Sequence, residues 1–216
     1  MSQTTAVRRG LRVFAMAALG VTAASVATTA PTDGWTQSSF SYDIHKPYDL
    51  SVSARFKITS GVSYLWVFST DKPFQSSSTT LPRTEMRWKN SYTSGNKMFD
   101  ADLYVPSGTS NVCLMQVFGA SQEGAASAIM IRMYSGTIKR YQSETIKTGA
   151  YNVWWNLKVA HDANGNMMRV WDSNSLKLTI ADRGNATHYF KNGVYGQSGM
   201  SSRMESRWRN IKYWTK

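Results

Sequence analysis

The chain has 216 residues, 42% hydrophobic and 12% aromatic with eight tryptophans, which excludes a disordered polymer and fits one domain with a real core. Its single cysteine, Cys113, excludes an internal disulfide framework, so packing alone must hold the fold. The net charge of +12 points to a polyanionic partner.

The N-terminus places Arg8, Arg9 and Arg12 before an apolar run from Val13 to Val26, followed by small residues ending in Ala27 and Ala30. This is the layout of a secretory signal peptide over residues 1–30, leaving residues 31–216 as the mature domain. The run is broken by Thr and Ser and is shorter than the ~20 apolar residues of a membrane span. Removing three arginines and no acid leaves 22 basic against 13 acidic residues, a net of +9. A secreted, basic, aromatic-rich domain that is not membrane-bound in its mature form is expected.

From Asp43 onward, short alternating runs such as DLSVSARFKI, VSYLWVFS, TEMRWK, DADLYV and NVCLMQVFG are separated by turn residues. AIMIRMYS, TIKRYQS, NVWWNLKVAHD, MMRVWDS and LKLTIAD continue the pattern. In DANGNM, the Asn164-Gly165 pair predicts a hairpin, with positive φ at the turn. Only SQEGAASAI hints at a short helix or loop, and no stretch has helical periodicity with caps. The expectation is an all-β single domain of roughly a dozen strands. Two stacked sheets, a β-jelly roll of the concanavalin-like sandwich type, would cover both faces and leave a concave groove for a linear polymer.

Three strands carry polar groups at period two. RTEMRW puts Arg83, Glu85 and Arg87 on one face and Thr84, Met86 and Trp88 on the other. An acid between two guanidinium groups is a lattice ready for a carboxylate ligand. VCLMQVFG puts Gln116 on the side of Leu114 and Phe118, with Cys113 on the side of Met115 and Val117 as a buried structural thiol. HYFKNGVYGQ aligns Tyr189, Lys191, Tyr195 and Gln197 on one face, with Gly193 as a gap in the floor, and Phe190 and Val194 on the core face.

Together these segments resemble the jelly-roll alginate lyases of polysaccharide lyase family 7 and the related glucuronan lyases. That group carries Arg-(Ser/Thr)-Glu-Leu-Arg, Gln-(Ile/Val)-His and Tyr-Phe-Lys-Ala-Gly-x-Tyr-x-Gln strands in this order. The matches here are RTEMR at Arg83–Arg87, QVF at Gln116–Phe118 and YFKNGVYGQ at Tyr189–Gln197. One position departs: the family's histidine is Phe118. Of the chain's histidines, His161 is expected to be exposed beside the DANG turn and His188 to point away from Tyr189. His45 lies in an N-terminal strand with nothing to fix its partner. All three are read as structural.

The resemblance implies β-elimination on a 1,4-linked polyuronate, with Tyr195, Gln116 and Arg83 as catalytic residues. Lys191, Arg87, Glu85, Gln197, Tyr189 and Phe118 would bind substrate. Arg83 and Gln116 would neutralise the substrate carboxylate, with Glu85 orienting Arg83. Lys191 would grip a neighbouring carboxylate or lower the phenol's pKa, and Tyr195 would be the acid and the base. No cofactor is implied, and three scattered histidines with one cysteine are poor material for a metal site. The partner is an anionic polysaccharide rather than nucleic acid, and the protein is expected to be a monomer. Two carboxylates for glycoside hydrolysis are not evident. The alternative is a non-catalytic acidic-polysaccharide-binding module of the same fold.

Overall fold

Period-two alternation of β-branched and aromatic residues with polar ones gives each segment one face to bury, and the chain resolves the demand by stacking two sheets. The computed structural model describes Met1 and residues 29–216, so residues 2–28 of the segment read as a signal peptide lie outside the described residues. Fifteen strands follow. The first five are β1 (Thr36–Ser38), β2 (Tyr42–His45), β3 (Phe56–Thr59), β4 (Val62–Phe68) and β5 (Arg83–Trp88). Next come β6 (Asn96–Tyr104), β7 (Val112–Phe118), β8 (Ser127–Tyr134), β9 (Thr137–Arg140) and β10 (Thr145–Lys147). The last are β11 (Trp155–Asp162), β12 (Met167–Asp172), β13 (Ser175–Ala181), β14 (Tyr189–Gly196) and β15 (Arg203–Thr215).

One sheet runs β10-β9-β8-β7-β14-β5-β2 and the other β13-β12-β11-β6-β15-β4-β3, with β1 added on β15. All the strand pairs are antiparallel. This is the expected jelly-roll sandwich. Between the sheets, Trp88 of β5 stacks on Phe40 at 4.1 Å and meets Phe99 of β6 at 5.4 Å and Tyr213 of β15 at 5.8 Å. Its indole N–H donates to the Asn192 carboxamide oxygen at 2.9 Å, so its one polar atom is satisfied in the core. Truncating such a side chain to alanine costs about 3–5 kcal/mol.

Three local readings are revised. DLSVSARFKI does not form one strand: Val52–Ala54 make a 3-10 turn before β3, and Arg55 is clamped by Asp71 through two hydrogen bonds of 2.7 and 2.6 Å. In the β11–β12 hairpin the positive φ belongs to Asn166 (50°), not Gly165. A Cβ at Gly165 would lie 2.6 Å from an Asp162 carboxylate oxygen, so the side chain that accepts the Gly165 N–H would have to shift. SQEGAASAI is a loop up to Ser127, where β8 begins.

Candidate functional site

Strands β2, β5, β14 and β7 lie side by side, so segments far apart in sequence share the outer face of the seven-stranded sheet. The register puts Lys191 between Arg87 and Gln116, Tyr195 opposite Arg83, Tyr189 opposite Phe118, and His45 opposite Glu85. The inward residues of the same strands, Met86, Trp88, Val117, Phe190 and Val194, anchor this face to the core.

Glu85 is the hub. It is 1% exposed, and one carboxylate oxygen accepts the Gln116 amide N–H at 2.6 Å. The other lies 3.7 Å from an Arg83 nitrogen and 3.6 Å from the Lys191 ammonium. Glu85 thus orients Arg83, Lys191 and Gln116, where the sequence reading had it hold the Arg83 and Arg87 guanidiniums. Ser127 completes the line by donating to the Gln116 carbonyl at 2.7 Å, which fixes the carboxamide and leaves its second N–H free to donate. Burial lowers the Lys191 pKa and the Glu85 carboxylate pulls it back up. With Arg87, the cluster sets three cations against one acid, a standing demand for an anion.

The Arg83 guanidinium lies 3.8 Å from the Tyr195 ring centroid, and its Nε makes no hydrogen bond among the described residues. The Lys191 ammonium sits 4.9 Å from the Phe118 ring, and the cation found against the Tyr195 ring is Arg83. Phe118 stacks on Tyr189 at 5.0 Å, and Arg87 covers the far side of that pair at 4.1 Å from the Tyr189 ring. Gln197 and Tyr195 line a hollow of about 330 Å³ together with Arg83, Gln116 and Phe118.

Two irregularities revise the strict alternation. A register shift between Cys113 and Met115 turns Leu114 into the inter-sheet core, away from Gln116. Cys113 is buried outside that core cluster, near Glu85, Arg132 and Lys191, and burial raises its thiol pKa strongly. A second shift in β14 sets Gly193 at φ 148°. A Cβ there would collide with the Thr84 carbonyl oxygen and lie 2.8 Å from Glu85 Cα and 3.0 Å from Leu65. Glycine is therefore required by backbone approach on the core side, not to open a gap in the floor.

Of the histidines, His188 turns inward, away from Tyr189, as expected, and His161 departs from its reading. His45 joins the site face, where its ring stacks on Phe74 at 3.9 Å and its buried Nδ1 makes no hydrogen bond among the described residues. Burial, followed by the nearby Lys191 charge, pushes its pKa down to about 4, so the imidazole is neutral at pH 7. His161 is 0% exposed rather than exposed, because its strand runs through the centre of the other sheet. It bonds the Tyr92 hydroxyl at 3.0 Å and Asp182 at 2.9 Å, and His188 bonds the Gly119 carbonyl at 3.1 Å. His161, Asp182 and His188 thus form one cluster, not the scattered set read from the sequence.

Sequence reasoning left His45 unplaced and missed Ser127, Arg132, Tyr141 and Arg183. The last three line the hollow beside Gln116, with Arg183 4.2 Å and Arg132 5.1 Å from the Tyr141 ring. Alternation in AIMIRMY places Met130 and Arg132 on one face and signals part of this wall. No sequence pattern marks Arg183, which lies between β13 and β14.

A family model described as alginate lyase matches residues 31–215. A citrate-binding protein of Hevea brasiliensis is 43% identical over 187 residues, covering 84% of this chain and 78% of its own. Among solved structures, an alginate lyase of polysaccharide lyase family 7 superposes with a TM-score of 0.63 at 18% identity, covering 86% of this chain and 98% of its own. A marine alginate lyase of the same family from Zobellia galactanivorans gives 0.61 at 18%, with coverages of 84% and 95%.

Proposed function

The chain belongs to the alginate lyase family, and from that premise we propose that it is a secreted, monomeric enzyme that cleaves a 1,4-linked polyuronate by β-elimination. One observation carries the reading: a guanidinium, an ammonium and a carboxamide from three strands converge around one buried carboxylate beside a hollow, with a phenol ring against the guanidinium. Secretion rests on the N-terminal sequence pattern.

Elimination removes H5 of a uronate and expels the oxygen on C4, leaving an unsaturated sugar. H5 is a weak acid because the adjacent C6 carboxylate is already negative. Groups held in place before reaction, in a site that excludes water, stabilise the second charge as it develops. In this reading Arg83 and the free Gln116 N–H take the carboxylate, Glu85 positions both, and Lys191 holds a neighbouring acid group. Tyr189 and Phe118 offer an apolar platform with Arg87 against it, and Gln197 lines the hollow beside Tyr195. Tyr195 donates its proton to the leaving O4.

The base follows from stereochemistry. In β-D-mannuronate and β-D-glucuronate, H5 and O4 lie on the same side of the ring, so one tyrosine can take the first proton and give the second. With Phe118 where relatives carry histidine, the reading favours mannuronate-type alginate or glucuronan over polyguluronate. The assay is absorbance of the conjugated double bond on polymannuronate, polyguluronate and glucuronan. Activity confined to polyguluronate would overturn Tyr195 as sole base and move that role to His45, whose neutral ring shares the face.

A second reading has specific support. The relative described as citrate-binding is 43% identical, and the hollow brings Arg83, Arg132 and Arg183 around about 330 Å³, a size suited to a compact polycarboxylate. Citrate binding by calorimetry, with no absorbance rise on any uronate polymer, would favour a non-catalytic binder.

A further inference from the structure

We infer that the outer face of the eight-stranded sheet carries a second site for anionic polysaccharide, formed by Tyr64, Trp66, Lys57, Arg203 and Arg207 around Glu205. It rests on the reading above only for the class of ligand.

The site is a row across four strands. Lys57 of β3 pairs with Tyr64 of β4, Tyr64 with Arg207 of β15, and Arg207 with Tyr104 of β6. Each cation lies against the ring beside it: Lys57 at 5.0 Å from Tyr64, Arg207 at 5.2 Å from Tyr64 and 4.9 Å from Tyr104. At ~4.8 Å per strand the row is about 14 Å long. Next to it lies a hollow of about 210 Å³ lined by Lys57, Tyr64, Trp66, Arg203, Glu205 and Arg207.

The charges do not cancel. Glu205 is 5% exposed and bonds both Arg203 and Arg207, the latter at 2.6 Å, so one acid holds two arginines, and Lys57 adds a third cation. The other acids on this face are engaged elsewhere. Asp102 takes Arg209 at 3.3 Å and Asn210 at 2.8 Å, while Asp100 takes the Trp214 indole N–H at 3.1 Å and lies 3.8 Å from Lys158.

The chemistry favours an acidic sugar chain. Arginine forks match carboxylates, and a partly exposed indole offers a flat apolar surface that a pyranose ring covers. Trp66 is the one aromatic of the hollow without a cation over it among the described residues. A single free ring flanked by cations suits a saccharide with acid groups on either side. Single-stranded nucleic acid uses successive free rings, and here the neighbouring tyrosine is already covered by Lys57 and Arg207.

The test uses the full chain in affinity electrophoresis through gels holding polymannuronate, polyguluronate or glucuronan at roughly physiological ionic strength. Binding is read in a Tyr195→Phe background so that the polymer survives; turnover is read separately on short oligouronates without that change. Lys57→Ala/Trp66→Ala, and Arg203→Gln as a second variant, should each weaken retardation, the double variant by about tenfold, or about 1.4 kcal/mol. Thermal midpoints and oligouronate turnover should stay at the parent values. Unchanged retardation in both variants, a parallel fall in turnover, or retardation by DNA that drops more than that by uronate would overturn the inference. If no uronate yields a double bond but retardation still depends on Lys57 and Trp66, the lyase reading falls and this site stands. Robust elimination with retardation indifferent to the variants gives the reverse.

Discussion

Glu85 and Glu205 solve the same local problem on opposite faces of the sandwich: each is a nearly buried carboxylate holding two cations. Around Glu85 the cations are buried as well, with Arg83 9% and Lys191 2% exposed. Around Glu205 the Arg203 and Arg207 side chains are 48% and 33% exposed. The loop before β8, with Gly124, Ala125 and Ala126, and Thr80 from the segment before β5 wall the first cluster, whereas the second lies open on its sheet. Water screens the second and is largely kept from the first. The first also has a phenol beside its guanidinium. The difference teaches that an acid-held cation pair binds anions wherever it occurs, but activates a bound anion only where solvent is excluded and a proton donor stands beside it.

Tyr195→Phe tests the chemical half of that contrast and carries the largest expected effect. Losing the proton relay should lower kcat by roughly 10²–10⁴-fold. The fold should persist, because the aromatic ring under Arg83 remains. The measurement is initial-rate absorbance together with polymer affinity. Near-normal turnover would mean that the phenol is not the relay.

Glu85→Gln tests the buried half. The neutral amide leaves Arg83 and Lys191 facing each other without compensation, and breaking a buried pair in this way costs about 3–5 kcal/mol. Urea denaturation should show a lower midpoint with an unchanged slope. Saturating oligouronate should restore part of the loss, because the ligand carboxylate replaces the missing charge.

Acid should weaken the fold before it reaches ordinary carboxylate pKa values. His45, His161 and His188 all have folded pKa values below the unfolded 6.5, chiefly through burial, with His45 near 4. In this window the unfolded chain binds more protons than the folded one, so stability falls as pH drops from about 6.5 toward 4. The fall is read as the thermal midpoint against pH. His45→Asn should remove a share of the slope without abolishing it, since burial lowers His161 and His188 independently of it.

Much of this was legible in the residues themselves. Alternation in Arg83–Trp88 and Tyr189–Gly196 foretold which side chains leave the core, and the turn residues foretold a sandwich. Three things were not legible. Strand pairing decides that β2 lies beside β5, and only that brings His45 to Glu85. Register shifts move Leu114 and Gly193 off strict alternation, because an extra residue is absorbed by the backbone rather than announced by composition. Arg183 reaches the hollow from a connection between strands, where no periodicity constrains it.

Glu205→Gln closes the comparison with the smallest effect. The carboxylate is nearly buried, but Arg203 and Arg207 can turn to water when it is neutralised, so the uncompensated charges that make Glu85→Gln severe do not arise. Ion pairs of this exposure contribute about 0–1 kcal/mol, and the thermal midpoint should move by no more than that implies. The two arginines would lose the acid that fixes them, so polymer retardation should change more than stability does. A loss as large as that of Glu85→Gln would mean that burial of the cations is not what separates the two faces.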